Sequence, residues 1–126
     1  MKANTKTLVI RFSSVGDIVL STPLLRVLRK RFPEGQIDYV TRSEYAELVR
    51  SNHNINVTYA YDASTGFQGL RQLKKKIRYE KYDLIVDIHY SLRSKYLRSL
   101  RGSAEAVVIN KRKFERYMLV RRKKNL

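Results

Sequence analysis

The 126-residue sequence contains no cysteine and no long apolar run. The lack of cysteine excludes disulfide bonds, thiolate catalysis and cysteine-ligated metal sites. No stretch approaches the roughly 20 apolar residues that a membrane-spanning helix needs. Residues 1–6 have neither the apolar core nor the small-residue cleavage site of a signal peptide. We therefore expect a cytoplasmic protein.

Acidic residues are scarce. The chain has 27 Lys and Arg against 11 Asp and Glu, a formal net charge of +16. The excess is uneven, because residues 1–70 carry a net +3 and residues 71–126 a net +13. A surplus of this size indicates an anionic partner, such as a phosphorylated substrate, an acidic membrane surface or nucleic acid. It is also compatible with an acidic partner surface outside this chain.

The length suits one domain with a hydrophobic core, and strand-like segments alternate with helix-like ones. The five strand-like segments are residues 7–12, 36–41, 54–61, 83–88 and 105–109. Such alternation predicts right-handed βαβ units. The predicted fold class is therefore α/β, with a Rossmann-like parallel sheet and flanking helices.

The helix-like segments are amphipathic. Residues 17–32 place Ile18, Leu25, Leu28 and Phe32 on one face. Pro23 interrupts this segment, so either the helix proper begins with Pro23 at its first position, after Thr22, or its first turn is kinked. Residues 43–51 form a second helix-like segment with Ser43 as cap, and residues 112–122 form another. Between them, one helix has core residues Leu70, Leu73 and Ile77 on the face opposite Arg71, Lys74, Lys75 and Arg78. The next helix has its core stripe at Leu92, Tyr96 and Leu100.

A first candidate site follows the first strand, where Ser13, Ser14, Gly16 and Asp17 come together. Ligands of open α/β sheets bind at this carboxyl edge. A carboxylate at a helix N-terminus stays ionised, and in a cleft it could act as general base toward a hydroxyl. The alternative is that Asp17 caps its helix. The two serine hydroxyls and the Gly16 amide could hold an anion or a sugar hydroxyl.

A second candidate cluster follows the fourth strand, at the same predicted edge. Its members are His89, Ser91, Arg93 and Ser94. Arg93 could hold a phosphate or carboxylate through its two-pronged guanidinium, and His89 could assist. The alternatives are a hydrogen-bonded histidine at a strand end and an arginine on a solvated helix face.

Thr41 and Arg42 end the second strand on this edge, and Asp62 ends the third. Each of them either lines the pocket or forms an ordinary turn. No phosphate-binding glycine loop and no metal-ligand spacing is present, so ATP hydrolysis and nicotinamide chemistry are poorly supported.

The residues of the first site resemble a known family. The run from Val9 to Leu25, with Ser13-Ser14-Val15-Gly16-Asp17 at its centre, is similar to the opening of the bacterial lipopolysaccharide heptosyltransferases of glycosyltransferase family nine. The resemblance continues in residues 29–33, 37–41, 65–66, 81–89 and 92–94.

This resemblance implies the N-terminal half of a two-domain GT-B fold and an inverting transfer with no metal or other cofactor. The N-terminal domain of the family receives a phosphorylated glycolipid acceptor, and the C-terminal domain binds ADP-heptose. The proposed general base of the family matches Asp17. Ser13, Ser14 and Gly16 would lie at the reacting centre, and Arg93 would hold acceptor phosphates.

We therefore expect residues 1–126 to be a single, incomplete acceptor-side domain, inactive alone. The nucleotide-sugar donor would bind only with a missing C-terminal domain, and the inner face of the cytoplasmic membrane is a candidate peripheral contact. One alternative is a non-enzymatic basic α/β module that binds anionic lipid or lipopolysaccharide. Nucleic acid ranks last, because the basic residues lie on ordinary helix faces and Tyr79, Tyr82 and Tyr96 fall on predicted core positions.

Overall fold

The centre of the fold is a five-stranded parallel sheet. The computed structural model describes residues 4–89, 91–99 and 105–108. The strands are β1 (Lys6–Ile10), β2 (Gln36–Arg42), β3 (Val57–Tyr61), β4 (Leu84–Asp87) and β5 (Glu105–Val108). They lie in the order β3-β2-β1-β4-β5, and all four neighbouring pairs are parallel. The predicted Rossmann-like parallel sheet is confirmed.

The strand order reverses at β1. The chain runs outward from β1 to β2 and β3, then returns to the other side of β1 for β4 and β5. The two connections therefore leave a crevice between the carboxyl ends of β1 and β4, which is the usual ligand position of such sheets.

Helices cover both faces of the sheet. They are α1 (Val15–Leu20), α2 (Thr22–Arg31), α3 (Ala46–Arg50), α4 (Gly66–Glu80) and α5 (Leu92–Ser99). Because successive strand residues face opposite sides, Val9 joins one core cluster with α1, α2 and α3, and Leu8 and Ile10 join the other with α4 and α5. Among the described residues, no helix is both long and apolar enough to cross a membrane.

Pro23 marks a break between two helices. The Ser21 amide donates to the carbonyls of Asp17 and Ile18 at the end of α1, and Ser21 also precedes α2. Pro23 is the second residue of α2, where a missing amide hydrogen costs no helical bond. The first of the two predicted alternatives is therefore confirmed, with the helix starting one residue earlier than predicted, at Thr22. The predicted apolar face is buried.

Two predictions about the helices are wrong, the cap at Ser43 and the burial of Leu92. Ser43 caps no helix, since Ser43–Tyr45 forms a 3₁₀ turn and α3 begins only at Ala46. Leu92 is 86% exposed, because the buried face of α5 is set by Ser94 and Leu97, three residues apart. The predicted positions Leu100 and Ile109 and the predicted helix over residues 112–122 lie outside the described residues.

Two side chains of α4 differ from the predicted pattern. Lys74 is buried rather than solvated, because its Nζ lies 3.9 Å from the centre of the Tyr96 ring, a cation–π contact that offsets part of the cost of burial. Burial lowers the pKa of Lys74, and the nearby Arg78 lowers it further. Tyr79, expected in the core, is 85% exposed.

A buried carboxylate ties β2 to β3 and to the segment before β4. Asp38 Oδ1 accepts from the Val57 amide at 3.1 Å. Its Oδ2 accepts from Gln36 Nε2 at 2.7 Å and from the Tyr82 hydroxyl. Burial raises the pKa of Asp38 above 3.8, while the hydrogen bonds from Tyr82, Gln36 and Val57 and the charge of Lys6 lower it in part.

This shift predicts how stability depends on pH. Because the pKa of Asp38 is higher in the folded chain than the 3.8 of an unfolded one, its favourable contribution is complete below about pH 4 and declines as pH rises through the folded value. We expect wild type to lose stability relative to Asp38→Asn as pH rises above about 4, measured by urea unfolding at a series of pH values.

Asp62→Asn is the contrasting control. Hydrogen bonds from the Ser64 hydroxyl and amide lower the pKa of Asp62, so its contribution is lost as pH falls. A difference between wild type and Asp38→Asn that stays constant over this range would contradict the assignment.

Candidate functional site

The candidate site lies at the crevice between the ends of β1 and β4. Residues 11–17 and 88–94 leave the sheet there, and backbone bonds hold the two segments in place. The Ile88 amide donates to the Ile10 carbonyl at 3.2 Å, and the Arg11 amide donates to the Val40 carbonyl at 3.0 Å. The two predicted clusters therefore face one crevice, as the sheet topology requires.

The Asp17 carboxylate is held by two side chains. Its Oδ2 lies 2.6 Å from Arg11 Nη2 and accepts from Ser14 Oγ at 3.0 Å. Ser14 precedes α1 in the capping position, but its side chain makes no cap bond to the helix. The hydroxyl orients the carboxylate instead, so Asp17 is directed by its neighbours at the sheet edge.

Arg11 is a site residue that the sequence interpretation missed. Its side chain is buried, its Nη1 donates to the Ile88 carbonyl at 2.8 Å, and its Nη2 pairs with Asp17. One guanidinium thus joins the segment after β1 to the end of β4. The available signal was a charged residue inside an apolar strand, since a buried charge needs a partner.

His89 lies beside Arg11 in the crevice. Its ring meets the Phe12 ring edge to face, with centroids 5.3 Å apart, and its backbone amide donates to Asp87 Oδ1 at 3.0 Å. Burial lowers the pKa of His89 and the positive charge of Arg11 lowers it further, whereas Asp87, the Ser13 backbone and Asp17 act in the opposite direction. The imidazole is therefore neutral at neutral pH, suited to hydrogen bonding rather than to attracting anions.

Ser91 and Ser94 form a reciprocal cap at the start of α5. The Ser91 amide donates to Ser94 Oγ at 2.8 Å, and the Ser94 amide donates to Ser91 Oγ at 3.2 Å. This is the pattern of a capping box with serine in both positions. Ser94 is fully buried, so its hydroxyl serves the helix start.

Some of the remaining candidates are held by hydrogen bonds or an ion pair within the domain, and the others are exposed or half-buried. Thr41 is fully buried and donates to the Phe12 carbonyl at 3.2 Å, and Arg42 pairs with Glu44 at 2.9 Å. Gly16 and Arg93 are exposed, and Ser13 is half-buried. Asp62 is a turn residue, since it accepts from the Ser64 amide at 3.0 Å.

A cavity of about 480 Å³ lies on the other side of α1, and the candidate residues are not among those that line it. Its walls come from the α1–α2 junction, α3 and the segment before β3. The candidate residues instead lie at the switch point of the sheet, where residues 11–17 and 88–94 follow β1 and β4.

Together these features define a class: a Rossmann-like α/β domain with an arginine-held carboxylate at the switch point of its sheet. No protein-family model matches the chain. Over 78 residues it is 32% identical to lipopolysaccharide heptosyltransferase 3 of Escherichia coli, a match that covers 58% of this chain and 23% of that protein.

Two solved structures share the fold. A glycosyl transferase family 9 protein of Veillonella parvula superposes with a TM-score of 0.78 at 25% identity, covering 94% of this chain and 36% of that one. ADP-heptose LPS heptosyltransferase II of Escherichia coli superposes with a TM-score of 0.71 at 25% identity, covering 82% and 30%. These matches confirm the resemblance to the lipopolysaccharide heptosyltransferases of glycosyltransferase family nine.

The matches cover most of this chain but only part of each relative. The chain spans about a quarter of the length of the curated relatives it matches and about a third of the solved chains. It therefore corresponds to a portion of each of these proteins.

The reciprocal cap predicts a structural cost at a candidate site residue. Ser91→Ala removes the hydroxyl that accepts from the Ser94 amide, so we expect the free energy of unfolding to fall by about 1 kcal/mol in urea denaturation. Ser43→Ala is the control and should change stability by less than about 0.5 kcal/mol, because Ser43 is exposed and its hydroxyl makes one long contact, 3.5 Å, with Glu44. Equal effects of the two substitutions would rule out the cap.

Proposed function

We propose that this chain forms the acceptor side of a heptosyltransferase-like glycosyltransferase. In this proposal a nucleotide-sugar donor, ADP-heptose, gives its sugar to the phosphorylated core of lipopolysaccharide. The support comes from the heptosyltransferase relatives and from the carboxylate of Asp17 at the switch-point crevice. The second of these carries the proposal, because the chemistry needs a base there.

Asp17 is the proposed general base. One carboxylate oxygen takes the proton of an acceptor hydroxyl, and the acceptor oxygen then attacks the anomeric carbon of the heptose. The bond from that carbon to the ADP oxygen breaks as the new bond forms, so the configuration inverts and ADP leaves with the electron pair. Arg11 and Ser14 hold the carboxylate in position for this step.

The other candidates would bind rather than react. Ser13 and the backbone at Gly16 border the crevice beside Asp17 and are placed to contact the reacting sugars. Arg93 is exposed at the start of α5, where its two-pronged guanidinium suits an acceptor phosphate. The neutral imidazole of His89 suits a hydroxyl.

The proposed reaction uses no metal or other cofactor, and the donor is a substrate. We place the protein in the cytoplasm, at the inner face of the cytoplasmic membrane, where a lipid-anchored acceptor would be found. Positioning of two substrates across a cleft accounts for much of such catalysis. The described residues contribute the acceptor wall of that cleft.

The proposed role of Asp17 gives a prediction about catalysis. The 126-residue chain alone should show no transfer from ADP-heptose, because one wall cannot position both substrates. A chimera in which the chain replaces the residues it superposes on in heptosyltransferase II of Escherichia coli should transfer heptose. In it, Asp17→Asn should lower kcat at least about 100-fold with little change in acceptor binding.

Product is measured by mass spectrometry of the acceptor, with and without a chelator. Transfer by the unassisted chain, or an Asp17→Asn chimera with more than about a tenth of the parent kcat, would refute the assigned roles.

The proposed role of Arg93 gives a prediction about acceptor binding. The chain should bind delipidated, phosphorylated core oligosaccharide in calorimetric titration, and Arg93→Gln should weaken binding about tenfold through the loss of a charge-assisted phosphate contact. Arg26→Gln removes the same charge from exposed α2 and should change little. If both variants lose affinity equally, general charge attraction rather than Arg93 accounts for binding.

A further inference from the structure

Two of the most exposed large apolar side chains lie close together near the candidate site. Phe67 is 63% exposed at the start of α4, and Leu92 is 86% exposed at the start of α5. Tyr96 connects them: its ring lies 5.0 Å from that of Phe67, and Leu92 precedes it by one helical turn. Single exposed apolar residues are common, but a contiguous group marks an interaction surface.

Positive charge borders this group. Arg71 and Lys75 follow Phe67 at intervals of four residues on α4, and both are exposed. Residues 66–79 and 92–99 contain no Asp or Glu, and the preceding Asp62 is engaged by Ser64. The residues of this surface, called here the Phe67–Leu92 patch, are Phe67, Arg71, Lys75, Leu92 and Tyr96.

The patch lies on the same edge of the sheet as Asp17. Because α4 follows β3 and α5 follows β4, both helices begin at the carboxyl ends of their strands. Phe67 and Leu92 each occupy the first turn of their helix. A surface that met the patch would therefore lie next to the open crevice.

We propose that the Phe67–Leu92 patch docks on an anionic phospholipid bilayer. Phe67 and Leu92 insert at the boundary between headgroups and acyl chains, and Arg71 and Lys75 contact lipid phosphates. Exposed Phe and Leu beside Lys and Arg are the pattern of interfacial membrane binding. Nucleic acid fits less well, because Leu92 offers no ring for base stacking and one side of Phe67 already meets Tyr96.

The consequence deepens the proposed function, on which this part of the inference rests. A bilayer at this edge presents a membrane-anchored acceptor to the crevice, so that Asp17 meets an acceptor hydroxyl close to the headgroup layer. The patch itself needs no acceptor in order to bind lipid.

The test is flotation of the full 126-residue chain with vesicles of phosphatidylcholine, with or without phosphatidylglycerol and free of glycolipid. We expect binding to the anionic vesicles alone. Phe67→Ala/Leu92→Ala leaves the net charge unchanged and should lower partitioning at least about tenfold. Leu48→Ala, an exposed leucine on the opposite face of the sheet, should bind as wild type does.

The charged residues need their own matched pair. Arg71→Gln/Lys75→Gln should weaken binding and its dependence on salt more than Arg26→Gln/Lys30→Gln, which removes the same charges at the same spacing from α2. Circular dichroism checks that each variant is folded, which we expect because the substituted side chains are exposed.

Three results would overturn the proposal: wild-type partitioning by Phe67→Ala/Leu92→Ala, equal binding to vesicles without phosphatidylglycerol, or preference for single-stranded RNA over anionic vesicles. The core oligosaccharide titration separates the two hypotheses, because it contains no lipid. Phe67→Ala/Leu92→Ala should bind core oligosaccharide as wild type does. If wild type itself does not bind the oligosaccharide, the acceptor role is refuted but the lipid-binding surface is not.

Discussion

Strand β1 is the element on which the rest of the molecule depends. It pairs with β2 on one side and β4 on the other, and Leu8, Val9 and Ile10 are fully buried between the two helical layers. Since every backbone group of a central strand must find a partner and both faces must be covered, this strand requires neighbours in all four directions. The crevice exists because the chain leaves β1 for one side and later returns to the other.

Arg11 extends that central role into the site. A guanidinium buried at the end of β1 is costly unless it is paired, and its bonds to Asp17 and to the Ile88 carbonyl supply the pairing. The same charge opposes protonation of His89. One buried cation thus orients a carboxylate, joins two strand ends and adds to the effect of burial in lowering the pKa of His89.

The positive charge of the chain is distributed between two environments. Lys74 is buried against Tyr96, whereas Arg71 and Lys75 are exposed on the same helix. Tyr96 therefore links core packing to the surface, since it receives Lys74 on one side and Phe67 on another. The basic composition reflects a local arrangement of helices α4 and α5 as well as an overall attraction for anions.

Most of the architecture could be read from the sequence, because hydrophobic periodicity reports which side of an element is buried. The five strands followed from it, and the parallel sheet they predict placed the two polar clusters at one edge. The break at Pro23 was one of two alternatives that proline left open. Pairing between distant residues could not be read this way. The burial of Arg11 and Lys74, the exposure of Leu92 and the 3₁₀ turn at Ser43 depend on which side chain another element brings near. Periodicity is a local property, whereas the partner of a buried charge is supplied by the tertiary structure.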